Sequence, residues 1–236
     1  MGIHGEGWRP QTEALAGRHR CLWFDNRGCG RSQPLTAPLS IAQMADDARA
    51  VLDAAGVADA HMVGHSMGGL IALELALTHR ARVRSLSLLC TFARGSDGTA
   101  LTAELLAKGL RTRLGTRRMR RQAFLEIVMP PSYLAGRDRD ALAAELAPLF
   151  GRDLADSPAY VMKQLGAMRA HDVRARLHEL AGVPTLVVSA SHDPIARPAS
   201  ARALAAGIPG ARHEVFPDAS HGVVLQCPER VNALLA

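Results

Sequence analysis

The sequence predicts an α/β fold, a mostly parallel sheet flanked by helices and interrupted by an inserted block of helices. Three observations carry that reading. Short apolar runs ended by turn residues alternate with segments of helical periodicity, the pattern of strands and crossover helices in a parallel sheet. Between about residues 93 and 180 the alternation stops and only helical patterns occur. Ser66, finally, stands between glycines in GHSMG, where a short apolar run gives way to a long apolar helix.

Taken in order, GWRPQTEALAG (7–17) reads as the first helix. CLWFD (21–25) is an apolar run ended by the Gly-rich NRGCGRS, and is expected to be a buried strand with its loop. SIAQMADDARAVLDAAG (40–56) opens on Ser40 as N-cap and closes on Gly56, so it is a helix. AHMVG (60–64) is the next strand, residues 67–80 a helix apolar nearly all round, and VRSLSLLCT (83–91) a strand. The interval that follows holds the helical patterns TAELLAKGL, RRQAFLEIVM, RDALAAELAPLF and AYVMKQLGAMRAH. PTLVVSA (184–190) and ARHEVFP (211–217) are the last strands, with the helix RPASARALAAG (197–207) between them, and PERVNALLA is a short final helix. The division expected is a core of residues 1–92 and 181–236 with a helical cap over 93–180.

Composition narrows the classes. A chain of 236 residues fits one domain, and with 48% hydrophobic but only 4% aromatic residues its core must be built of Leu, Ala and Val. The net charge is +6, yet only Lys108 and Lys163 among 28 basic residues are lysines, a compositional bias given little functional weight. The run RTRLGTRRMRR (111–121) reads first as a solvated helix face and second as the rim of an anionic-substrate site. Nucleic-acid binding ranks last, because no aromatic residues are interleaved for stacking. Cys21, Cys29, Cys90 and Cys227 show neither CxxC nor metal-ligand spacing, so reduced thiols, a cytosolic protein and no bound metal are expected. The N-terminus lacks a signal-peptide pattern, and no apolar run approaches the roughly 20 residues that span a bilayer, so no membrane partner is expected. Met119, Met129, Met162 and Met168 fall at helical positions and are expected in the core. The sequence sets no oligomeric state.

The chemistry gathers at Ser66. A strand turning abruptly into a helix forces the central serine into a strained conformation, and side chains at Gly64 and Gly68 would collide there. The same turn raises the hydroxyl above the sheet and points the Met67 N–H, at the helix start, toward developing negative charge. A serine needs a base, and the base needs an orienting carboxylate. His221 in DASHG and Asp193 in SHDPIARP both follow strands, at the sheet edge where α/β folds place their sites, in the chain order Ser, Asp, His. Asp97 is the second choice of acid, Asp218 stands too close to His221 in sequence, and His65 is read as packing.

FDNRGCGRS (24–32), GHSMGG (64–69), SASHDPIA (189–196) and DASHG (218–222) together resemble the α/β-hydrolase superfamily, in the group of 3-oxoadipate enol-lactonases, small carboxylesterases and cofactor-free haloperoxidases. The likeness extends over the chain except the helical interval, which is similar to the family's variable cap. It implies a structural role for Asp25, Arg27, Gly28, Gly30 and Ser32, and a serine hydrolase with Ser66 as nucleophile, His221 as base and Asp193 as acid. It further implies oxyanion donors at Met67 and, where the family keeps its N-terminal loop, at Met1. His4-Gly5 matches the family's oxyanion dipeptide but stands too close to Trp8. The family's hairpin and third strand have no counterpart here, so N-terminal strands are expected to be absent. Their absence predicts two buried unpaired strand edges and a natural start upstream of Met1.

The resemblance thus implies hydrolysis of a small ester, lactone or thioester, a small-molecule acyl substrate as partner, and neither metal nor organic cofactor. The same triad could serve perhydrolysis, as in a haloperoxidase, or carbon–carbon bond hydrolysis. A different class is a non-catalytic ligand-binding protein or a truncated, inactive protein of the same fold; the ligand-binding protein would keep its binding and biological effect in Ser66→Ala.

Overall fold

The computed structural model describes residues 1–32, 38–99 and 102–236. A turn of 3₁₀ helix (Gly5–Trp8) leads into α1 (Arg9–Leu15), with Pro10 in its first turn, where the missing N–H removes no helical bond. α2 (Ile41–Ala54) begins at Ser40, whose Oγ accepts from the Gln43 N–H at 3.0 Å. β1 (Ala60–His65), α3 (Met67–Thr78) and β2 (Val83–Leu89) follow. Five helices come next: α4 (Ala103–Arg111), α5 (Arg117–Val128), α6 (Pro131–Leu134), α7 (Arg139–Phe150) and α8 (Tyr160–Arg169). Thr102, Thr116 and Asp138 cap three of them, and Gly151 ends α7 in the left-handed conformation at φ 68°. β3 (Thr185–Ala190), α9 (Pro198–Gly207), β4 (Arg212–Phe216), α10 (Val223–Gln226) and α11 (Pro228–Leu235) complete the chain.

The four strands are parallel and lie in chain order, β1-β2-β3-β4, so their C-terminal ends share one edge. Each crossover is helical, as a parallel sheet requires. α3 packs against β1, β2 and α2 and has no polar face: Leu70, Leu73 and Leu75 are wholly buried. Around them a core of aliphatic residues forms, with Phe92 and Phe216 its buried aromatics. The helices between β2 and β3 gather a second cluster around Leu125, Met129, Leu142, Leu146 and Phe150. The backbone there meets the core at Arg94 and Asp172, the two ends of the helical segment, joined by a single antiparallel bridge.

Two sequence expectations are corrected and a third gains detail. CLWFD forms no strand and joins no ladder, with Leu22 and Trp23 more than 40% exposed. An apolar run becomes a strand only by pairing, and no described segment pairs with this one. β1 accordingly forms one edge of the sheet, and the first of the two expected buried edges is not a strand at all. Met119 and Met162 are half exposed, whereas Met129 and Met168 lie in the core as expected. The arginine run is largely exposed, as its first reading has it, and its side chains find acidic partners there. Arg117 and Arg121 share Asp153, Arg118 pairs with Asp140, and Arg111 and Arg139 share Glu126.

Two outcomes follow from this packing. Leu73→Ala removes a wholly buried side chain from α3 and is expected to cost about 2–5 kcal/mol, lowering Tm by roughly 5–15 °C in a thermal melt. The second concerns Asp153, whose carboxyl is held far below the usual carboxylate range chiefly by its hydrogen bond from Arg121, with the Ala155 N–H and Arg117 adding to it against the opposing effect of burial. A depressed folded-state pKa stabilises above the unfolded value of about 4 and is lost as pH falls below it. Asp153→Asn should therefore lower Tm at pH 7, and melts taken at progressively lower pH below 4 should show the gap to the parent closing.

Candidate active site

The sharpest local feature is the junction of β1 and α3. Ser66 lies there at φ 56°, ψ −123°, a conformation that side chains rarely adopt. Its surroundings over-determine it. The Ser66 N–H donates to the Leu89 carbonyl of β2 at 3.0 Å, and its carbonyl accepts from the Gly69 N–H at 2.9 Å and from Thr91 Oγ1 at 2.7 Å. At Gly64 a Cβ would overlap the Gly68 carbonyl, and at Gly69 it would overlap the Thr91 side chain, whereas at Gly68 there is open space. The tight glycines are thus Gly64 and Gly69, and the expected collision at Gly68 is not found. Met67 is the first residue of α3, so its N–H has no carbonyl a turn earlier to bind.

Three strand ends converge on this point. His221 Nε2 is 3.0 Å from Ser66 Oγ, and His221 Nδ1 is 2.8 Å from Asp193 Oδ2. All three residues are buried. Asp193 Oδ1 accepts from the Ile195 and Ala196 N–H groups at 2.8 and 2.9 Å, so both carboxylate oxygens are engaged. Burial alone would raise the Asp193 pKa. The adjacent His221, through charge and hydrogen bond, and the two backbone N–H groups outweigh it and hold the carboxyl below its ordinary value. Asp193 is therefore an ionised acceptor, and His221 presents Nδ1–H to it and a bare Nε2 to the serine hydroxyl. A proton can move from Ser66 Oγ to that nitrogen with no rearrangement of heavy atoms.

The other sequence candidates lie elsewhere. Asp97 binds Arg94 at 2.5 Å, and Asp218 pairs with Arg230 at the surface. The His4-Gly5 dipeptide is tied to the FDNRGCGRS loop, with the Gly5 N–H donating to Asp25 Oδ1 at 2.7 Å. Asp25 also accepts from the Arg31 N–H at 2.8 Å, and Gly30, at φ 53°, lies so close to that carboxylate that a Cβ would overlap it. Arg27 pairs with Asp47 of α2, so this loop is held as a unit. Met1 packs against the core, and its nitrogen lies within electrostatic range of the His65 ring.

Beside Ser66, His221 and Asp193 stand two neighbours, Cys90, which the sequence left without a role, and His65, which it read as packing. The Cys90 thiol, at the end of β2 and at φ 45°, contacts Asp193; burial first and then that carboxylate push its pKa well up, so it remains a thiol. His65 does not merely pack, since its Nε2 is 2.7 Å from the His221 carbonyl oxygen. The one signal for either was position: each ends a strand at the edge where the site forms. No cluster of three or more metal-ligating side chains occurs among the described residues.

The crowding at Gly64 and the open space at Gly68 give a test of this geometry. Gly64→Ala is expected to force the β1–α3 junction open and lower Tm, whereas Gly68→Ala, facing open space, leaves Tm nearly unchanged; thermal melts distinguish the two.

Comparison with known proteins gives a consistent picture. The protein-family model described as alpha/beta hydrolase fold matches residues 2–228. A protein from Azorhizobium caulinodans named "Putative carbamate hydrolase RutD" is 36% identical over 237 residues, covering all of this chain and 86% of that one. Among solved structures, an enol-lactonase from Burkholderia xenovorans LB400 superposes with a TM-score of 0.80 at 28% identity, over 99% of this chain and 86% of that chain. A thermophilic esterase from Thermogutta terrifontis does so with 0.77 at 27% identity, over 99% and 84%.

Proposed function

The chain belongs to the α/β-hydrolase fold family, and on that premise we propose that it is a serine hydrolase opening a small ester, lactone or thioester through Ser66, His221 and Asp193. The observation that carries this reading is the unbroken relay from Ser66 Oγ through His221 to Asp193, at 3.0 and 2.8 Å, inside a buried site.

The steps follow from the polarity of that relay. His221 Nε2 takes the hydroxyl proton as Ser66 Oγ attacks the acyl carbon. Negative charge then develops on the carbonyl oxygen, where the Met67 N–H and the positive end of α3 meet it. A second donor from the N-terminal segment, at Met1, completes the oxyanion site in this reading. His221 returns the proton to the leaving oxygen or sulfur, and the acyl group stays on Ser66. Water then repeats the sequence with His221 as base, releasing the acid. Asp193, ionised throughout, fixes the imidazole tautomer and offsets its positive charge. Neither metal nor organic cofactor enters any step. In the same reading residues 1–92 and 181–236 form the catalytic core and residues 93–180 a cap. The bond from the Gly222 N–H, next to His221, to the Val128 carbonyl at the end of α5 supports that assignment, because it ties the helical segment directly to the catalytic loop.

The relative named for carbamate hydrolysis favours a second substrate reading with the same machinery. A carbamate presents the same carbonyl to Ser66, and His221 would protonate its departing nitrogen or oxygen.

A fluorophosphonate should label the protein at Ser66 and leave Ser66→Ala unlabelled; an unlabelled parent would overturn the reading. Asp193→Asn is expected to lower kcat on p-nitrophenyl acetate by on the order of 10⁴-fold. Rates on an aliphatic lactone, an acyl thioester and an aryl carbamate then rank the substrate classes.

A further inference from the structure

His65 precedes the nucleophile, and the reaction as derived leaves its ring without a task. Its Nε2 is 2.7 Å from the main-chain carbonyl oxygen of His221, and the two rings are 4.9 Å apart at 45°. A carbonyl only accepts, so the proton must sit on Nε2 of His65, which assigns the neutral Nε2–H tautomer. Its ionisation agrees with that assignment. Burial first, and the neighbouring His221 second, lower the His65 pKa to about 3. A ring that stays neutral adds no repulsion when His221 becomes a cation in each turnover.

The loop that carries His221 is tied from three directions. Ser220 Oγ donates to the His192 carbonyl at 3.0 Å, joining the loop to the one that holds Asp193. The Gly222 N–H donates to the Val128 carbonyl at 2.7 Å, joining it to α5. The third tie is His65, which acts on the peptide group of His221 itself and comes from β1, the strand that delivers Ser66. The nucleophile and the main chain of its base are therefore referenced to each other across a single side chain. We propose that His65 is a positioning residue, whose Nε2–H holds the His221 backbone where the His221 ring meets Ser66 Oγ. The proposal rests on the reading of Ser66 and His221 as nucleophile and base.

The test uses the full chain and p-nitrophenyl acetate, with active sites counted by fluorophosphonate titration. His65→Phe keeps an aromatic ring and removes the donor; His65→Gln returns an N–H at the reach of Nε2. A positioning role requires kcat per titrated site to fall about 10–100-fold in His65→Phe with KM within about 2-fold of the parent, since small misplacements of reacting groups act on the chemical step. His65→Gln should recover to within about 5-fold, because the restored bond is the one that matters. Parental kcat per site in His65→Phe, or a loss in His65→Gln as deep as in His65→Phe, overturns the proposal. Should His65→Phe fail to fold, His65→Met, similar to Gln in length and lacking a donor, takes its place. A parent that neither labels nor turns over would overturn the Ser66 reading beneath, whereas a labelled, active parent with indifferent His65 variants overturns the role of His65 alone.

Discussion

A serine held at positive φ in the sharpest bend of the chain is the constraint on which the rest of this structure depends. Such a conformation costs of order 1–3 kcal/mol and persists only where its neighbours leave no alternative. Here those neighbours are the end of β2, through Leu89 and Thr91, and two glycines that let the first turn of α3 close onto β1. The largely apolar α3 supplies the counterweight, since its buried leucines fix the helix that the strained residue begins. Stability stored in an ordinary aliphatic core thus maintains one unfavourable backbone conformation, with the hydroxyl lifted clear of the sheet.

The parallel sheet does the remaining work by geometry. Strands in chain order place all their C-terminal ends along one edge, so residues 66, 193 and 221 meet although more than a hundred positions separate the first two. Beyond the strands the loops are stitched to each other: the Ser191 N–H binds the Phe216 carbonyl, the His192 N–H binds the Ala219 carbonyl, and Ser220 returns the link. Asp193 and His221 therefore ride on one cross-braced unit. The elbow of Ser66 rides on another, and His65 bridges the two.

Strand ends and helix caps were legible in the sequence because they are local. Ser40 and Gly56 sit where capping chemistry demands, and the meeting of Ser66, Asp193 and His221 follows from strands that each announce themselves by an apolar run and a turn. What was not legible depends on partners distant in the chain. CLWFD has the composition of a strand, but a ladder needs a neighbour, which no five residues can declare. The choice between Gly68 and Gly69 as the crowded glycine is decided by Thr91, more than twenty positions away. Periodicity placed Met119 and Met162 on helices but could not say which helix faces find cover. His65 looked like packing because its acceptor, a backbone carbonyl, carries no side-chain signature.

The helical segment between β2 and β3 also imposes an order in time. Leu89 and Thr185 are about 95 residues apart, which a ribosome adding roughly 5–20 residues per second takes on the order of 5–20 s to bridge. Throughout that interval β2 has β1 on one side and nothing on the other, so a nascent chain shows an open apolar strand edge until β3 arrives. The private core of the intervening helices gives that stretch something to collapse around while it waits. Asp193 and His221 come last of all, so the Ser66 elbow can form before either side chain is there to meet it. The proposed reactivity is thereby deferred until the sheet is whole, and a nascent chain interrupted during synthesis holds Ser66 without its proposed base.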